Sequence, residues 1–222
     1  MTLAIFDLDG TLADTLADLA ASVNYGLRVL GCPEHDNDSY RYFVGNGAMK
    51  LCERALPDGR KDDAAKLHEL FGGYYTGHLL DNTVIYDGIK EVLDALSSNG
   101  VIIAVATNKP QAAARQLIGE LLPEAPFIRV LGGCAERPRK PDPAVIKEIL
   151  AAAPECDKVY MIGDSNVDIQ TARNAGCISI GCQWGFRTRE ELIAEGADHI
   201  AEAPGDIADI ILEIINESRR QT

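Results

Sequence analysis

Five short runs rich in apolar and β-branched residues recur along this chain of 222 residues. They cover residues 3–7, 101–107, 127–132, 158–164 and 177–181, and each ends in a polar residue or glycine. Such runs are typical of strands buried on both faces of a parallel sheet. Segments with helical spacing of apolar residues lie between them, at 88–98, 110–121, 143–152 and 167–175. Strand and helix alternate, which predicts an α/β fold with a doubly wound, mostly parallel sheet.

The segment 14–85 breaks this alternation, because its apolar residues recur at spacings of three and four with no convincing strand among them. An insertion of about 72 residues between two strand–helix units is too long for a loop. We therefore predict a second, all-helical domain over 14–85, and an α/β core domain formed by 1–13 and 86–222. The tethers 12–14 and 82–87 are the expected hinges for opening and closing over the sheet edge.

An acidic pair follows the first predicted strand. Asp7 and Asp9 are two residues apart, so in an extended segment their side chains converge as an exposed pair while Leu8 turns toward the core. Two like charges held this close destabilise each other unless a cation or a proton intervenes. Hard divalent cations such as Mg²⁺ bind carboxylate and carbonyl oxygens and keep places for water and phosphate. The pair therefore predicts a metal site.

The other strand ends carry groups that suit an anion or a cation. Thr107 and Asn108 end the second strand, and Lys140, in a proline-stiffened loop after the third, supplies a point charge for a phosphate or a carboxylate. Asp164 ends the fourth strand and Asp168 follows four residues later, so one can reach a cation directly and the other through an intermediate group. Ligands of open α/β sheets bind beyond the carboxyl ends of the strands, where these residues are expected to meet.

Simpler structural explanations also exist for three of these residues. Thr107 and Asn108 are residue types common at helix N-caps. Asp168 can favour a helix N-terminus through the helix macrodipole. A helix-capping role and a binding role can hold together, so both stay open at this point.

Charge and composition limit the partners. The net charge of −13 disfavours nucleic acid and anionic membrane surfaces, since both need a basic footprint. No basic-then-apolar leader is expected, and the longest strongly apolar stretch, 101–106, is far below the roughly 20 residues that a membrane span requires. The six cysteines include no C-x-x-C pair, so reduced, mostly buried thiols are expected. We expect a cytoplasmic protein with a small-molecule partner, either a monomer or a homodimer.

Four motifs, in this order and at these strand ends, resemble those of the haloacid dehalogenase superfamily. They are Asp7-Leu8-Asp9-Gly10-Thr11, Thr107-Asn108, Lys140-Pro141-Asp142-Pro143 and Gly163-Asp164-Ser165-Asn166-Val167-Asp168. The helical insertion after the first motif resembles the cap that this superfamily carries there. The resemblance covers essentially the whole chain and implies the superfamily's Rossmann-like core with an inserted helical cap.

The resemblance also implies roles for the motif residues. Asp7 would be the nucleophile that takes the phosphoryl group as an aspartyl-phosphate, and Asp9 would be the general acid and base. Mg²⁺ would be held by the Asp7 carboxylate, the Asp9 backbone carbonyl and Asp164, with Asp168 acting indirectly. The phosphoryl oxygens would be held by Thr107, Asn108, Lys140 and the backbone amides near Gly10.

Residue choices within the superfamily pattern favour a phosphatase. Dehalogenases and phosphonate-cleaving relatives lack the second aspartate of the first motif, which is present here as Asp9. Mutase relatives carry a cap histidine about ten residues further on and usually an aliphatic residue in place of Thr11. This chain has Leu19 and Thr11 at those positions. Phosphate ester hydrolysis is therefore expected.

A short cap segment bears on the substrate. Residues 41–48 and 52–56 resemble the corresponding stretch of phosphoglycolate phosphatases. Gly45 and Gly47 flank Asn46 and would expose backbone amides at a helix start as a seat for a small carboxylate, or they form only a tight turn between helices. 2-Phosphoglycolate is the leading substrate. A sugar-phosphate phosphatase and a pyrophosphatase remain alternatives, and a catalytically idle regulator that binds a phosphorylated ligand is a remoter one.

Overall fold

The computed structural model describes residues 1–220, and the side chains of residues 1–215. Its strands are β1 (Thr2–Phe6), β2 (Ala13–Asp14), β3 (Val84–Ile85), β4 (Ile102–Pro110), β5 (Phe127–Gly133), β6 (Lys158–Gly163), β7 (Ile178–Cys182) and β8 (His199–Ala201). Its α-helices are α1 (Leu16–Val29), α2 (Asn37–Phe43), α3 (Ala48–Ala55), α4 (Ala64–His78), α5 (Ile89–Ser98), α6 (Gln111–Leu121), α7 (Ala144–Leu150), α8 (Asn166–Ala175), α9 (Arg189–Glu195) and α10 (Pro204–Arg220), and a 3₁₀-helix covers Asp58–Asp63.

Six of the strands form a parallel sheet in the order β5-β4-β1-β6-β7-β8. β1 lies inside this sheet, and its residue Leu3 pairs with Ile102 of β4 on one side and with Val159 of β6 on the other. The strands that follow β1 are added first on one side, as β4 and β5, and then on the other, as β6, β7 and β8. The strand order reverses beside β1, and ligands of such sheets bind at this switch point. The predicted doubly wound α/β fold is confirmed.

Helices cover both faces of the sheet. Successive side chains of β1 point to opposite faces, and all of them are buried, so each face needs a cover. Leu3 and Ile5 belong to a buried cluster with residues of α7 and α8, while Ala4 and Phe6 belong to a second cluster with residues of α5, α6 and α10. Burying one aliphatic side chain fully contributes about 1.5–3 kcal/mol relative to leaving it exposed. Residues buried on both faces explain the continuous apolar runs of the sequence.

The insertion of residues 14–85, hereafter the helical insertion, contains α1 to α4 as its apolar spacing predicts. α1 packs against α4 closely, since a Cβ added at Gly26 would lie 2.5 Å from Cδ1 of Leu67. The expectation that no strand occurs here is wrong in one detail, because β2 and β3 pair as a short antiparallel ribbon at the two tethers. Each has two residues, too few for an alternating pattern to show. The domain boundaries stay predictions.

Three further features complete the comparison with the sequence. β8 is a sixth parallel strand that the sequence did not reveal, because it has only three residues. All six cysteines are free, three of them buried and three half-buried. Among the helices of residues 1–220, none has the length and apolar content needed to cross a bilayer.

Candidate active site

The predicted acidic pair lies where β1 ends at the carboxyl edge of the sheet. The Asp7 backbone N–H donates to the Ile162 carbonyl at 2.8 Å, so Asp7 continues the pairing of β1 with β6. Leu8 is buried, as expected. The expectation of an exposed pair is wrong, because Asp7 is only 7 % exposed and Asp9 is half-buried. The helical insertion covers this edge, and its contribution could not be read from the two aspartates.

Lys140 is a buried cation beside two carboxylates. Its Nζ lies 3.1 Å from Oδ1 of Asp7 and donates to Oδ1 of Asp168 at 2.6 Å. Burial lowers the pKa of Lys140, but Asp168 and Asp7 outweigh it and raise that pKa above its ordinary value. The ammonium is therefore charged at neutral pH, and it can hold Asp7 and the oxygens of an incoming phosphate together.

Asp164 directly follows β6 and faces Asp7. Its Oδ2 accepts from the Phe186 backbone N–H at 2.7 Å, and its Oδ1 accepts from Oγ1 of Thr11 at 3.2 Å. Gly10, with φ +81°, passes so close that a Cβ there would collide with the Asp164 carboxylate. The glycine of the first motif therefore makes room for the aspartate of the last.

Three buried carboxylates converge around this point. Ligand oxygens of Asp7, Asp164 and Asp168 all lie within 4.8 Å of one another. Burial raises the pKa of Asp164 well above its ordinary value, and Asp168 and Asp7 add to the rise. Burial likewise raises the pKa of Asp7 to about 7, against the opposing effect of Lys140. This oxygen donor set with surplus negative charge fits a hard divalent cation such as Mg²⁺.

Asp168 supports both of its interpretations. Its Oδ2 accepts from the backbone N–H of Ser165 at 3.1 Å and from its hydroxyl at 2.6 Å, at the start of α8, while Oδ1 holds Lys140. Asp168 thus fixes the beginning of the helix and the position of the lysine. Both roles are compatible with an indirect influence on a cation bound by Asp164.

Thr107 and Asn108 lie inside β4, because the strand continues to Pro110. Neither of them caps α6, whose N-cap is Pro110, so the helix-cap interpretation is wrong. Asn108 donates through Nδ2 to the carbonyls of Lys140 at 2.9 Å and Gly45 at 3.0 Å, and its Oδ1 accepts from the Lys140 backbone N–H at 2.9 Å. Asn108 therefore joins the lysine loop to the helical insertion, and its contact with phosphate stays a prediction.

Asp9 has a separate set of partners. Its Oδ1 accepts from Oγ1 of Thr15 at 2.7 Å and from Nζ of Lys109 at 2.8 Å. Lys109 is buried and is not among the predicted site residues. One sequence signal points to it: Lys109 follows Thr107 by two, so both side chains leave β4 on the same side. The Asp9 carboxylate is held away from the carboxylate cluster, which suits the transfer of a proton.

A pocket between the sheet edge and the helical insertion unites these groups. The predicted residues that line it are Asp7, Asp9, Gly45, Gly47, Thr107, Asn108 and Asp164. Lys140 contacts Asp7 and is itself held by Asp168, although neither Lys140 nor Asp168 lines the pocket, and Gly10 lies against Asp164. Apolar side chains of the helical insertion, among them Leu19, Leu51 and Phe71, form the opposite wall. A small polar ligand would bind at the carboxylates beneath a largely apolar cover.

Comparison with known proteins agrees with this geometry. The family model for haloacid dehalogenase-like hydrolases matches residues 4–182. The chain belongs to this hydrolase family. It is 34% identical over 219 residues to a phosphoglycolate phosphatase of Vibrio parahaemolyticus, covering 94% of this chain and 95% of that protein, and 38% identical over 192 residues to one of Agrobacterium fabrum, covering 83% and 81%.

A solved structure extends the similarity to the fold. The crystal structure of a predicted phosphoglycolate phosphatase from Haemophilus somnus 129PT superposes with a TM-score of 0.85 at 31% identity, covering 95% of this chain and 98% of that one. The enzyme class that the family model and these relatives support is a phosphoric monoester hydrolase. The residues that the family model matches, 4–182, include all four motifs at the strand ends.

In this hydrolase the cap segment lies at the rim of the pocket. Gly45 and Gly47 have φ +117° and +86°, and Gly47 is the N-cap of α3, so the loop is both a tight turn and a helix start. The Asn46 side chain points elsewhere, since its Oδ1 accepts from Nη2 of Arg54 at 2.7 Å. The seat for a small carboxylate at these amides stays a prediction.

Two arginines that the sequence did not reveal fasten the helical insertion to the core. Arg41 donates through Nη1 to the Gly185 carbonyl at 3.0 Å. In return, Arg187 donates to the carbonyls of Arg41 and Val44, the latter at 3.2 Å, and it lines the pocket. These bonds cross between segments about 145 residues apart, so only the folded chain brings them together.

Proposed function

We propose that this hydrolase is a Mg²⁺-dependent phosphatase that hydrolyses a small phosphate monoester through an aspartyl-phosphate on Asp7. The observation that supports this most is the position of Asp7. Its Oδ1 accepts from the Leu8 backbone N–H at 2.7 Å and lies 3.1 Å from Nζ of Lys140, while Oδ2 makes no hydrogen bond within the described part of the chain. One carboxylate oxygen is held and the other is available for attack in the pocket.

The proposed first step forms a bond between Oδ2 of Asp7 and phosphorus and breaks the bond from phosphorus to the ester oxygen. Asp9, in its protonated form, gives its proton to that leaving oxygen, so a neutral alcohol departs. Lys140 neutralises part of the charge that builds up as a carboxylate approaches a phosphate dianion. Such proton transfer typically contributes about 10² to 10⁴ in rate.

The proposed second step releases phosphate. Asp9, now a carboxylate, takes a proton from a water molecule whose oxygen bonds to phosphorus, and the bond from phosphorus to Asp7 breaks. Inorganic phosphate leaves, and both aspartates return to their starting states. Thr15 and Lys109, which hold Oδ1 of Asp9, would keep that carboxyl oriented in both steps.

Mg²⁺ would be held by Asp7, the backbone carbonyl of Asp9 and Asp164, with Asp168 acting indirectly, and it would neutralise charge between nucleophile and phosphate. The convergence of the Asp7, Asp164 and Asp168 oxygens supports this assignment. The side chains of the chain itself supply the rest: a positioned nucleophile, a proton carrier and a buried ammonium.

The leading substrate is 2-phosphoglycolate. Two relatives that bear the name phosphoglycolate phosphatase align with more than nine-tenths of this chain, and the pocket that holds Asp7 is lined partly by the helical insertion. The alternatives are separated by the test below. Preferred hydrolysis of a sugar phosphate or of pyrophosphate would replace this substrate, and no hydrolysis of any ester would favour the catalytically idle regulator. The cytoplasmic location, the choice between monomer and homodimer and the domain boundaries stay predictions.

The test is phosphate release from a panel of about 50 phosphate esters with and without Mg²⁺, for the wild type, Asp7→Asn and Asp209→Asn. Asp209 is exposed on α10 and serves as the matched control. We expect Mg²⁺-dependent turnover with 2-phosphoglycolate among the best substrates, a loss of at least about 10⁴-fold in Asp7→Asn and wild-type activity in Asp209→Asn. Full activity of folded Asp7→Asn would contradict the proposal.

A further inference from the structure

A buried hydroxyl group that makes no close hydrogen bond faces the pocket. Tyr75 of α4 is 4 % exposed and lines the pocket, and among the described residues no partner lies at hydrogen-bond distance from its hydroxyl oxygen. By contrast, the buried Tyr40 donates to Oδ1 of Asn24 at 2.6 Å. Buried polar groups in native structures are nearly always hydrogen-bonded, so a pocket-facing exception needs an explanation. A ligand atom is the obvious missing partner.

A buried cation lies next to this hydroxyl-bearing ring. Nζ of Lys109 is 4.8 Å from the centroid of the Tyr75 ring, and Lys109 also lines the pocket. The ammonium has three N–H donors: one is donated to Oδ1 of Asp9 at 2.8 Å, and the ammonium also interacts with the Tyr75 hydroxyl oxygen, which leaves the phenolic proton and a further N–H for a ligand. Burial raises the pKa of Tyr75, so its phenol is a neutral donor at neutral pH. The two side chains together offer donors and a positive charge.

The position of this pair selects one end of the substrate. Attack by Asp7 is in line, so the leaving oxygen points away from Asp7 and toward the proton on Asp9. Lys109 lies 2.8 Å from that same Asp9 carboxylate. A group of the leaving alcohol that reaches Lys109 and Tyr75 must therefore sit close to the ester oxygen. The surrounding wall formed by Leu19, Leu51 and Phe71 is apolar. Arg187 also lines the pocket, but its Nη1 and Nη2 already donate to the carbonyls of Arg41 and Val44.

We infer that the Tyr75 hydroxyl and the Lys109 ammonium form a subsite for an acidic oxygen carried by the leaving alcohol next to the ester oxygen. The substrate class is then a phosphate ester of a short 2-hydroxy acid. The inference rests on the proposed function and deepens it, because it names the residues that bind the carboxylate of the substrate. It places this subsite on β4 and α4, apart from the amides of Gly45 and Gly47.

The experiment compares two esters that differ in the carboxylate. 2-Phosphoglycolate and ethyl phosphate are assayed by phosphate release with the wild type, Tyr75→Phe and Tyr74→Phe. Tyr75→Phe removes the hydroxyl and keeps the ring, which stacks on Phe71 with centroids 5.2 Å apart. Tyr74, the adjacent residue of α4, stacks on Tyr25 away from the pocket lining and is the matched control.

We expect Tyr75→Phe to lower the ratio of kcat/KM for 2-phosphoglycolate to kcat/KM for ethyl phosphate by about 10- to 100-fold, the usual effect of one hydrogen bond to a charged group. Tyr74→Phe leaves that ratio unchanged. The thermal midpoint of Tyr75→Phe stays within about 2 °C of wild type, because its hydroxyl makes no close hydrogen bond with the described residues. A purely structural role would lower turnover of both esters alike.

The outcomes separate this inference from the proposed function. An unchanged ratio in Tyr75→Phe, or a wild-type enzyme that hydrolyses p-nitrophenyl phosphate but does not prefer the carboxylated ester, overturns the subsite and leaves a phosphatase. No phosphate release from any of the three esters, with Mg²⁺ present, overturns the proposed function and the subsite with it.

Discussion

Asp18 hydrogen-bonds to the predicted hinge at 82–87, and its replacement by Asn tests how much these bonds contribute to the free energy of unfolding. Asp18 lies in the first turn of α1 and is 2 % exposed. Its carboxylate accepts from the Asn82 backbone N–H at 3.0 Å and side chain at 2.8 Å, and from the Thr83 backbone N–H and hydroxyl, each at 2.8 Å. Residues 82–87 form the second tether, so one side chain holds that tether to the start of the helical insertion.

The magnitude follows from the bonds that an amide cannot accept. In Asp18→Asn one oxygen becomes an NH₂ group, which faces the N–H donors of Asn82 or Thr83 instead of accepting from them. Hydrogen bonds to charged groups contribute about 1.5–3 kcal/mol each, and the loss of one or two of them lowers the free energy of unfolding by about 2–4 kcal/mol. For a chain of this size that lowers Tm by about 4–16 °C.

The pH dependence identifies the charge as the cause. Burial raises the pKa of Asp18, but the hydrogen bonds from Asn82 and Thr83 outweigh it and lower that pKa below its ordinary value. A carboxyl with a lowered folded-state pKa stabilises above its unfolded pKa of about 3.9, and the stabilisation is lost as pH falls through the folded-state value. The Tm gap between wild type and Asp18→Asn is therefore constant from about pH 5 to 8 and narrows below about pH 4.

The assay is thermal unfolding followed by circular dichroism from pH 2.5 to 8, with Asp62→Asn as the control. Asp62 is an exposed carboxylate of the same helical insertion. The control is expected to match wild type at every pH. A Tm of Asp18→Asn within about 2 °C of wild type at pH 7, or a gap that persists unchanged to pH 2.5, would refute the reasoning.

Three further predictions concern the site. Lys140→Met leaves Asp7 and Asp168 buried without their ammonium, so urea unfolding should show a loss of about 3–5 kcal/mol; a loss below about 1 kcal/mol would contradict the ion pairs. Chelation with EDTA should abolish turnover and lower Tm, and Mg²⁺ should restore both, since a ligand of the folded state stabilises it; indifference to EDTA would contradict the metal site. Asn46→Ala removes the oxygen that accepts from Arg54 and no side chain of the pocket lining, so KM for 2-phosphoglycolate and KM for p-nitrophenyl phosphate should change alike; a rise confined to 2-phosphoglycolate would place the carboxylate seat at this loop and contradict the subsite at Tyr75 and Lys109.

Much of the fold could be predicted because its strands are buried on both faces. The runs at 3–7 and 158–164 correspond to β1 and β6 within one or two residues, since continuous apolar sequence is required where helices cover both sides. β8 and the β2–β3 ribbon could not be predicted. Strands of two or three residues are specified by their partners in the sheet and carry too few residues for any periodicity.

The candidate site also has features that could be predicted from the sequence and features that could not. Asp7, Lys140 and Asp164 could be predicted to converge, because parallel strands bring their carboxyl ends to one edge. The burial of Asp7 could not, since the cover comes from helices more distant in the chain. The pairing of Asp9 with Lys109 spans 100 residues, and the approach of Tyr75 depends on how α4 lies over β4. Contacts of this kind follow from tertiary packing, which local sequence patterns do not predict.

The central claim is that the Asp7 carboxylate forms a covalent bond to phosphorus during turnover. The most direct measurement is acid quenching of the enzyme during steady-state hydrolysis of 2-phosphoglycolate, followed by peptide mass spectrometry. We predict a phosphoryl group on the peptide that contains Asp7, present in the wild type and absent in Asp7→Asn. A wild-type enzyme that turns over rapidly yet never carries phosphate on Asp7, with transfer directly to water, would contradict the account.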